Sequence, residues 1–222
     1  MCGRFAFFSP REALAKAFPL DLGALPEPRY NIAPSQNVFL IRRDESGELQ
    51  SDSCRWGLVP FWAKDPAIGN RMINARAETV AEKPAYRQAF SRRRCLILAD
   101  GFYEWQQRAD GKHPYFIGRL DGLPFAMAGL WDQWTKVPDK ALRSCTVITS
   151  PANEFMQPLH HRMPVLMDWS AGSRWLDPTA TTADLLQMLA AGAAMELQAW
   201  PVSRAVNNPV NDSAELLTPV TA

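Results

Sequence analysis

Apolar and polar residues alternate over several short stretches of this chain, and a period of two marks half-buried strands. Asn37–Arg43 and Gln50–Trp56 read this way, joined across the turn-forming run Asp44-Glu45-Ser46-Gly47. Three strands then follow one another. Cys95–Gln107 turns at Asp110-Gly111 into His113–Arg119, which turns at Asp121-Gly122 into Phe125–Thr135. Met72–Val80, Cys145–Ser150 and Val165–Asp168 add further β-rich segments. Helical spacing is confined to short pieces. Pro10–Phe18 has Ser9 as N-cap, Pro10 as first helical residue and Glu12 as capping-box partner, and Pro19 stops it. Glu82–Arg92 reads as a short basic helix and Ala183–Ala191 as another.

Tight hairpins between consecutive strands imply mainly antiparallel pairing. The expected fold class is therefore α+β: a mainly antiparallel, curved, barrel-like β core flanked by short helices. No repeat or long polar linker divides the 222 residues, so a single domain is expected, with loose residues after about position 217.

Composition narrows the function classes. Hydrophobic residues make up 47% and charged residues 21%, a globular balance that argues against disorder. The longest uncharged apolar run, Phe125–Trp131, is far short of a membrane span, and Met1-Cys2-Gly3-Arg4 does not resemble a secretory signal. A cytoplasmic protein, nucleoid-associated when bound to DNA, is the expectation. Cys2, Cys54, Cys95 and Cys145 are too scattered for a metal knuckle and read as free thiols. The net charge of +1 hides an asymmetry: residues 1–100 carry 15 Lys or Arg against 11 Asp or Glu, and 12 of those cations are Arg. The arginine fork suits phosphate, although a solvated surface would look the same.

Familiar chemistry is missing from the text of the sequence. There is no G-x-G-x-x-G, no G-x-x-x-x-G-K-[ST] and no G-x-S-x-G. With three histidines and no H-E-x-x-H or paired C-x-x-C, neither a zinc site nor another cofactor is expected. Cys2 offers something different. Removal of Met1 would leave a 1,2-aminothiol, whose α-amine, with a reference pKa near 7.7–8.0, is far more available at neutral pH than a lysine. Such an amine condenses with an aldehyde to an imine, and the thiol then closes a five-membered thiazolidine with the advantage of an intramolecular reaction. Cys2 could equally be a small buried residue near a terminus.

Seven blocks carry a resemblance. They are Met1-Cys2-Gly3-Arg4-Phe5, Arg29-Tyr30-Asn31-Ile32-Ala33-Pro34, Trp56-Gly57-Leu58-Val59-Pro60, Ile73-Asn74-Ala75-Arg76-Ala77-Glu78-Thr79, Gly101-Phe102-Tyr103-Glu104-Trp105, His160-His161-Arg162-Met163-Pro164 and Pro201-Val202-Ser203-Arg204-Ala205-Val206-Asn207-Asn208. In this order, and spread over nearly the whole chain, they resemble the SOS-response-associated peptidase (SRAP) family of abasic-site processing proteins. The resemblance implies a covalent cross-link between Cys2 and an abasic site in single-stranded DNA, whose opened sugar is the required aldehyde. It implies no metal, cofactor or membrane partner, and a monomer is expected.

The resemblance also gives roles to other residues, each with a plainer alternative. Glu104, inside an apolar strand, is by similarity the acid/base that helps form or hydrolyse the imine; otherwise it is an acid paired with an arginine. His160 by similarity passes protons, with His161 filling the variable position beside it; a lone histidine is otherwise structural. Asn74 can hold the Cys2 amine or the sugar, or simply end a strand. Arg4 and Arg76 are candidates for gripping phosphates or for surface ion pairs. Trp56, Pro60 and Trp62 form a rigid aromatic segment able to stack on bases, with core packing the equal alternative for Trp56. Asn207 and Asn208 could line the same cleft. AP-lyase cleavage is a plausible second activity. An N-terminal-nucleophile cysteine peptidase and a non-catalytic single-stranded-DNA-binding module are the competing readings.

Overall fold

A computed structural model describes residues 2–137, 141–192 and 195–221. Strands β3 (Asn37–Arg43) and β4 (Leu49–Trp56) form the expected hairpin, in register from Asn37↔Arg55 to Arg43↔Leu49. Strand β6 (Arg94–Ala99) pairs with β3 and with β9 (Phe125–Trp134); β9 pairs with β10 (Leu142–Pro151), and β10 returns to β4. Five strands thus close on themselves as a barrel. The expected antiparallel pairing holds for most of it. The β10–β4 junction is parallel, as is the pairing of β10 with β5 (Asn74–Arg76).

Alternation decides what fills the barrel. Val38, Leu40, Cys54, Cys95, Ile97, Met127, Cys145 and Val147 share the inward face through their cross-strand registers. Asp52, opposite Leu40, and Arg42, opposite Gln50, are diagonal neighbours on the same face, joined at 2.7 Å, with the Trp131 ring 4.5 Å from the guanidinium carbon.

A second, five-stranded sheet leans on the barrel in the order β13 (Leu197–Pro201), β8 (Gly111–Arg119), β7 (Gly101–Arg108), β1 (Phe5–Phe7), β2 (Arg29–Ile32). Cys95–Gln107 is accordingly two strands in two sheets. The break falls at Asp100, whose carboxylate accepts from the Phe8 and Ser9 backbone N–H groups and from the Ser9 hydroxyl. Ser9 is therefore spent on Asp100. Helix α1 (Arg11–Ala17) starts from Pro10 without a side-chain cap, so the expected capping box does not form.

Other boundaries shift for local reasons. Of Met72–Val80 just Asn74–Arg76 is strand, because the chain then folds into turns, with Thr79 N–H on Arg76 O and Lys83 N–H on Thr79 O. Helix α2 (Arg87–Arg92) is shorter than the basic run, whose Pro84 disfavours helix just before it. Short strands β11 (Arg162–Pro164) and β12 (Leu166–Met167) replace Val165–Asp168. Helix α3 (Trp169–Trp175) precedes α4 (Thr182–Ala191), where Thr181 and Asp184 form a capping box. The tail is not loose: Val202 bridges Pro219, and Val220 N–H donates to Pro201 O at 3.0 Å. Among the described residues no helix is long and apolar enough to cross a membrane.

Candidate functional site

The second sheet brings the chain's start to Glu104. Phe5 pairs with Phe102 and Ala6 with Gly101, and Tyr103 N–H donates to Arg4 O at 2.9 Å. Carrying that register on sets Gly3 opposite Glu104, one step from Cys2. The parallel pair β5–β10 brings the third group, since Val147↔Asn74 fixes where β5 begins. From there the Asn74 Nδ2 donates to the Cys2 carbonyl at 2.8 Å. Residues 2, 74 and 104 thus converge through long-range strand pairing alone.

Trp56 is the floor beneath them. Its indole N–H donates to Ile73 O at 2.9 Å, next to Asn74, and its ring meets Phe5 edge-on with centroids 5.2 Å apart. It is fully buried, so no face is left for a base, and the core alternative is the right one. Pro60 is also buried and presents no stacking surface. Trp62 differs: 44% exposed, it lines a separate depression of about 420 Å³ with Lys64, Ile68 and Arg71. Gly57 shapes this loop. Its φ is +129°, and a Cβ there would lie 2.5 Å from the Gly69 carbonyl oxygen, so the loop's two arms close at a glycine contact.

Electrostatics follow from burial. The Cys2 thiol is completely buried and its pKa is driven well up by desolvation, with the Glu104 carboxylate adding in the same direction. Glu104 itself is buried and its carboxyl is raised above the usual carboxylate range, desolvation again leading. A thiol without thiolate character and a carboxyl that holds its proton more firmly than an ordinary carboxylate therefore sit together. Asn74 Oδ1 is buried and has no hydrogen-bond partner among the described residues, leaving one acceptor unmet at the same point.

His160 arrives on the turn before β11. The Gln106 side chain of β7 ties that turn down by donating to Pro158 O at 3.0 Å. Its Nδ1 accepts from Arg162 N–H at 3.0 Å, and burial lowers its pKa. Arg162, which the reading of the sequence left without a role, is buried against Glu78 and Thr149. Its Nη2 lies 3.0 Å from Glu78 Oε2 and 2.6 Å from Thr149 O. Its place in the His160–Pro164 block was the available signal. Arg76 is exposed at the end of β5 and acts electrostatically on Glu78, so two guanidinium groups flank one side of the site.

Arg4 is engaged with the protein. Its Nη1 donates to Asn31 Oδ1 at 2.7 Å and to Val206 O at 2.6 Å, and its guanidinium lies 6.0 Å from the Trp105 ring. Fully buried Asn31 also donates to the carbonyls of Val206, Asn208 and Asn211. Asn207 Oδ1 accepts from the Trp105 indole at 2.8 Å. The Pro201–Asn208 block is thus a latch that secures Arg4 and Trp105 beside Glu104. Met1 lies outside the described residues.

The sequence matches the family SOS response associated peptidase (SRAP) over residues 1–209. It is 44% identical to the abasic site processing protein YoaM of Bacillus subtilis, covering 98% of this chain and 97% of that protein. It is 35% identical to the abasic site processing protein YedK of Escherichia coli, over 99% and 100% of the two chains. A crystal structure of a protein from Bacteroides thetaiotaomicron shares the fold with a TM-score of 0.84 at 21% identity, over 99% of this chain and 100% of that one. With the family match spanning residues 1–209 and relatives 35–44% identical over nearly the whole chain, the chain belongs to the SRAP family.

Proposed function

We propose that this protein processes abasic sites in single-stranded DNA by forming a covalent link through Cys2. The observation that carries the reading is the convergence of Cys2, Asn74 and Glu104 from three distant segments, with Asn74 bonded to the Cys2 backbone at 2.8 Å. Relatives named for abasic-site processing supply the substrate class.

The reaction begins when loss of Met1 turns the Cys2 nitrogen into a free amine. That amine adds to the aldehyde of the opened sugar, giving a carbinolamine. A proton from Glu104 or His160 lets the hydroxyl depart as water, and an iminium forms. The thiol then bonds to the same carbon and gives up its proton, closing the thiazolidine. Order matters here. Burial and the nearby carboxylate hold the thiol protonated, so it is a poor opening nucleophile. The amine attacks first and sulfur second, an order that favours this chemistry over a thiolate-dependent peptidase. Asn74 Oδ1 supplies an acceptor for the amine or a sugar hydroxyl. Arg76 takes a flanking phosphate and Trp62 a base, while Arg4 acts as part of the latch beneath them. The iminium also acidifies the adjacent sugar C–H, so β-elimination is a slower companion reaction.

The test is incubation of purified protein with single-stranded DNA carrying one abasic site, followed by a denaturing gel and intact-mass analysis. A denaturation-resistant adduct mapped to residue 2, lost in Cys2→Ala, is the expected result. Salt-sensitive binding that ignores Cys2→Ala would instead identify a non-covalent binding module, and hydrolysis of unrelated peptides would identify a peptidase.

A further inference from the structure

Two imidazoles stack beside the site. The rings of His160 and His161 have centroids 4.3 Å apart and planes 26° from parallel. His160 is half-buried, with its Nδ1 held by Arg162 N–H, while His161 is exposed. Their charged surroundings come from several elements. Lys112 of β8 and Arg162 of β11 act on His160, and Arg162 and Glu104 of β7 act on His161. The amine of a processed Cys2 would join these groups.

Two imidazolium rings in face-to-face contact repel. Such a pair takes up one proton far more readily than two and titrates as a unit rather than as independent sites. Protonation of His161 is opposed first of all by His160.

We propose that His161 is a positioning residue for the cross-linking reaction, holding the His160 ring in place by stacking and confining the pair to one shared proton. The proposal rests on the reading of Cys2 as the abasic-site nucleophile. During the reaction, one proton passes from His160 to the carbinolamine hydroxyl; the C–O bond breaks, water leaves and the C=N bond forms. On ring closure the S–C bond forms and the thiol proton returns to the histidine pair, so the pair ends with the protons it began with, and the departing water carries off one hydrogen from the amine and one from the thiol. Exposed His161 connects the pair to solvent, and its presence keeps His160 ready to give up the proton it carries.

Two substitutions separate charge from stacking. His161→Asn removes both the second titrating group and the ring; His161→Phe keeps a ring without the charge. Imidazole NMR of the unreacted protein reads the His160 titration, and single-turnover cross-linking to a one-lesion oligonucleotide between about pH 5 and 8 reads its use. In both variants the His160 titration should sharpen to a single step. In His161→Asn its midpoint should rise by roughly half a pH unit, with the cross-linking profile moving the same way. Maximum rate should fall about threefold in His161→Asn and stay within about twofold in His161→Phe. An unchanged His160 titration in both variants overturns the proposal, and so does a changed titration that the cross-linking profile ignores. Wild-type protein that never cross-links brings down the Cys2 reading first, and this role with it, whatever the NMR shows.

Discussion

The barrel lumen and the cleft beside it each hold buried thiols, in very different company. Cys54, Cys95 and Cys145 share the lumen, where burial above all raises their pKa values; Asp52 adds to the rise of Cys54, to about 12, and neighbouring thiols add to that of Cys95 and Cys145. Cys2 is equally buried and also held protonated. Exposure and thiolate character therefore do not single it out. What does is a carboxamide, a carboxyl and an imidazole-bearing turn brought alongside it, and a backbone nitrogen that one cleavage converts to an amine. In the proposed reaction, reactivity belongs to a neighbourhood, and the thiol is its second actor.

The strongest way to break that contrast is to remove the neighbourhood and keep the thiol. Glu104→Gln preserves shape, and should slow adduct formation about 100-fold or more, as loss of a general acid does. Its stability should move the other way. The carboxyl is raised in the folded state, so across a window above the ordinary carboxylate pKa the folded protein holds a proton that the unfolded chain has released. Stability falls as pH rises through that window. Glutamine removes the term, so the melting-temperature gap between variant and wild type should widen as pH rises above the ordinary carboxylate pKa. A gap that narrows instead would mean that Glu104 is stabilised as the anion.

A middle-sized effect separates the two tryptophans. Trp62→Ala should weaken binding to intact single-stranded DNA by roughly 1–3 kcal/mol and leave the melting temperature alone. Trp56→Ala should cost roughly 3–5 kcal/mol of folding stability through the cavity it opens under Phe5 and Ile73. Calorimetry together with fluorescence anisotropy would reveal any reversal of these assignments. The smallest effect is the control in the lumen. Cys95→Ala should lower stability by about 1 kcal/mol and leave adduct formation within about twofold. A folded Cys95→Ala protein unable to cross-link would erase the distinction between the two places.

The long alternating strands and their hairpins were legible because their pattern is local: Asn37–Arg43 matches to the residue. What escaped lacked such a pattern. Strand β1 is three buried residues, Phe5-Ala6-Phe7, with no alternation to detect. Strand β13 is half-buried throughout and ends in proline. Helix α3, Trp-Ser-Ala-Gly-Ser-Arg-Trp, has weak propensity and forms by packing, with Gly172 close against the Leu96 side chain. The site was readable in its parts and unreadable in its assembly. Glu104 and Asn74 stood out within their motifs, but their meeting with Cys2 depends on pairings about 70 to 100 residues apart, which no local rule contains. Trp56 shows the complementary case: a residue type suited to stacking on bases was taken up by the core.

Strand β1 is clamped on both sides, by β2 and by β7. A DNA strand fastened to Cys2 would transmit any pull from a translocating enzyme straight into β1. Drawn along its own axis, the strand would load its hydrogen bonds to both neighbours in shear, where they share the force instead of parting one at a time. The protein would then act as a mechanical anchor as well as a chemical cap, and removing it by force would require unmaking the sheet.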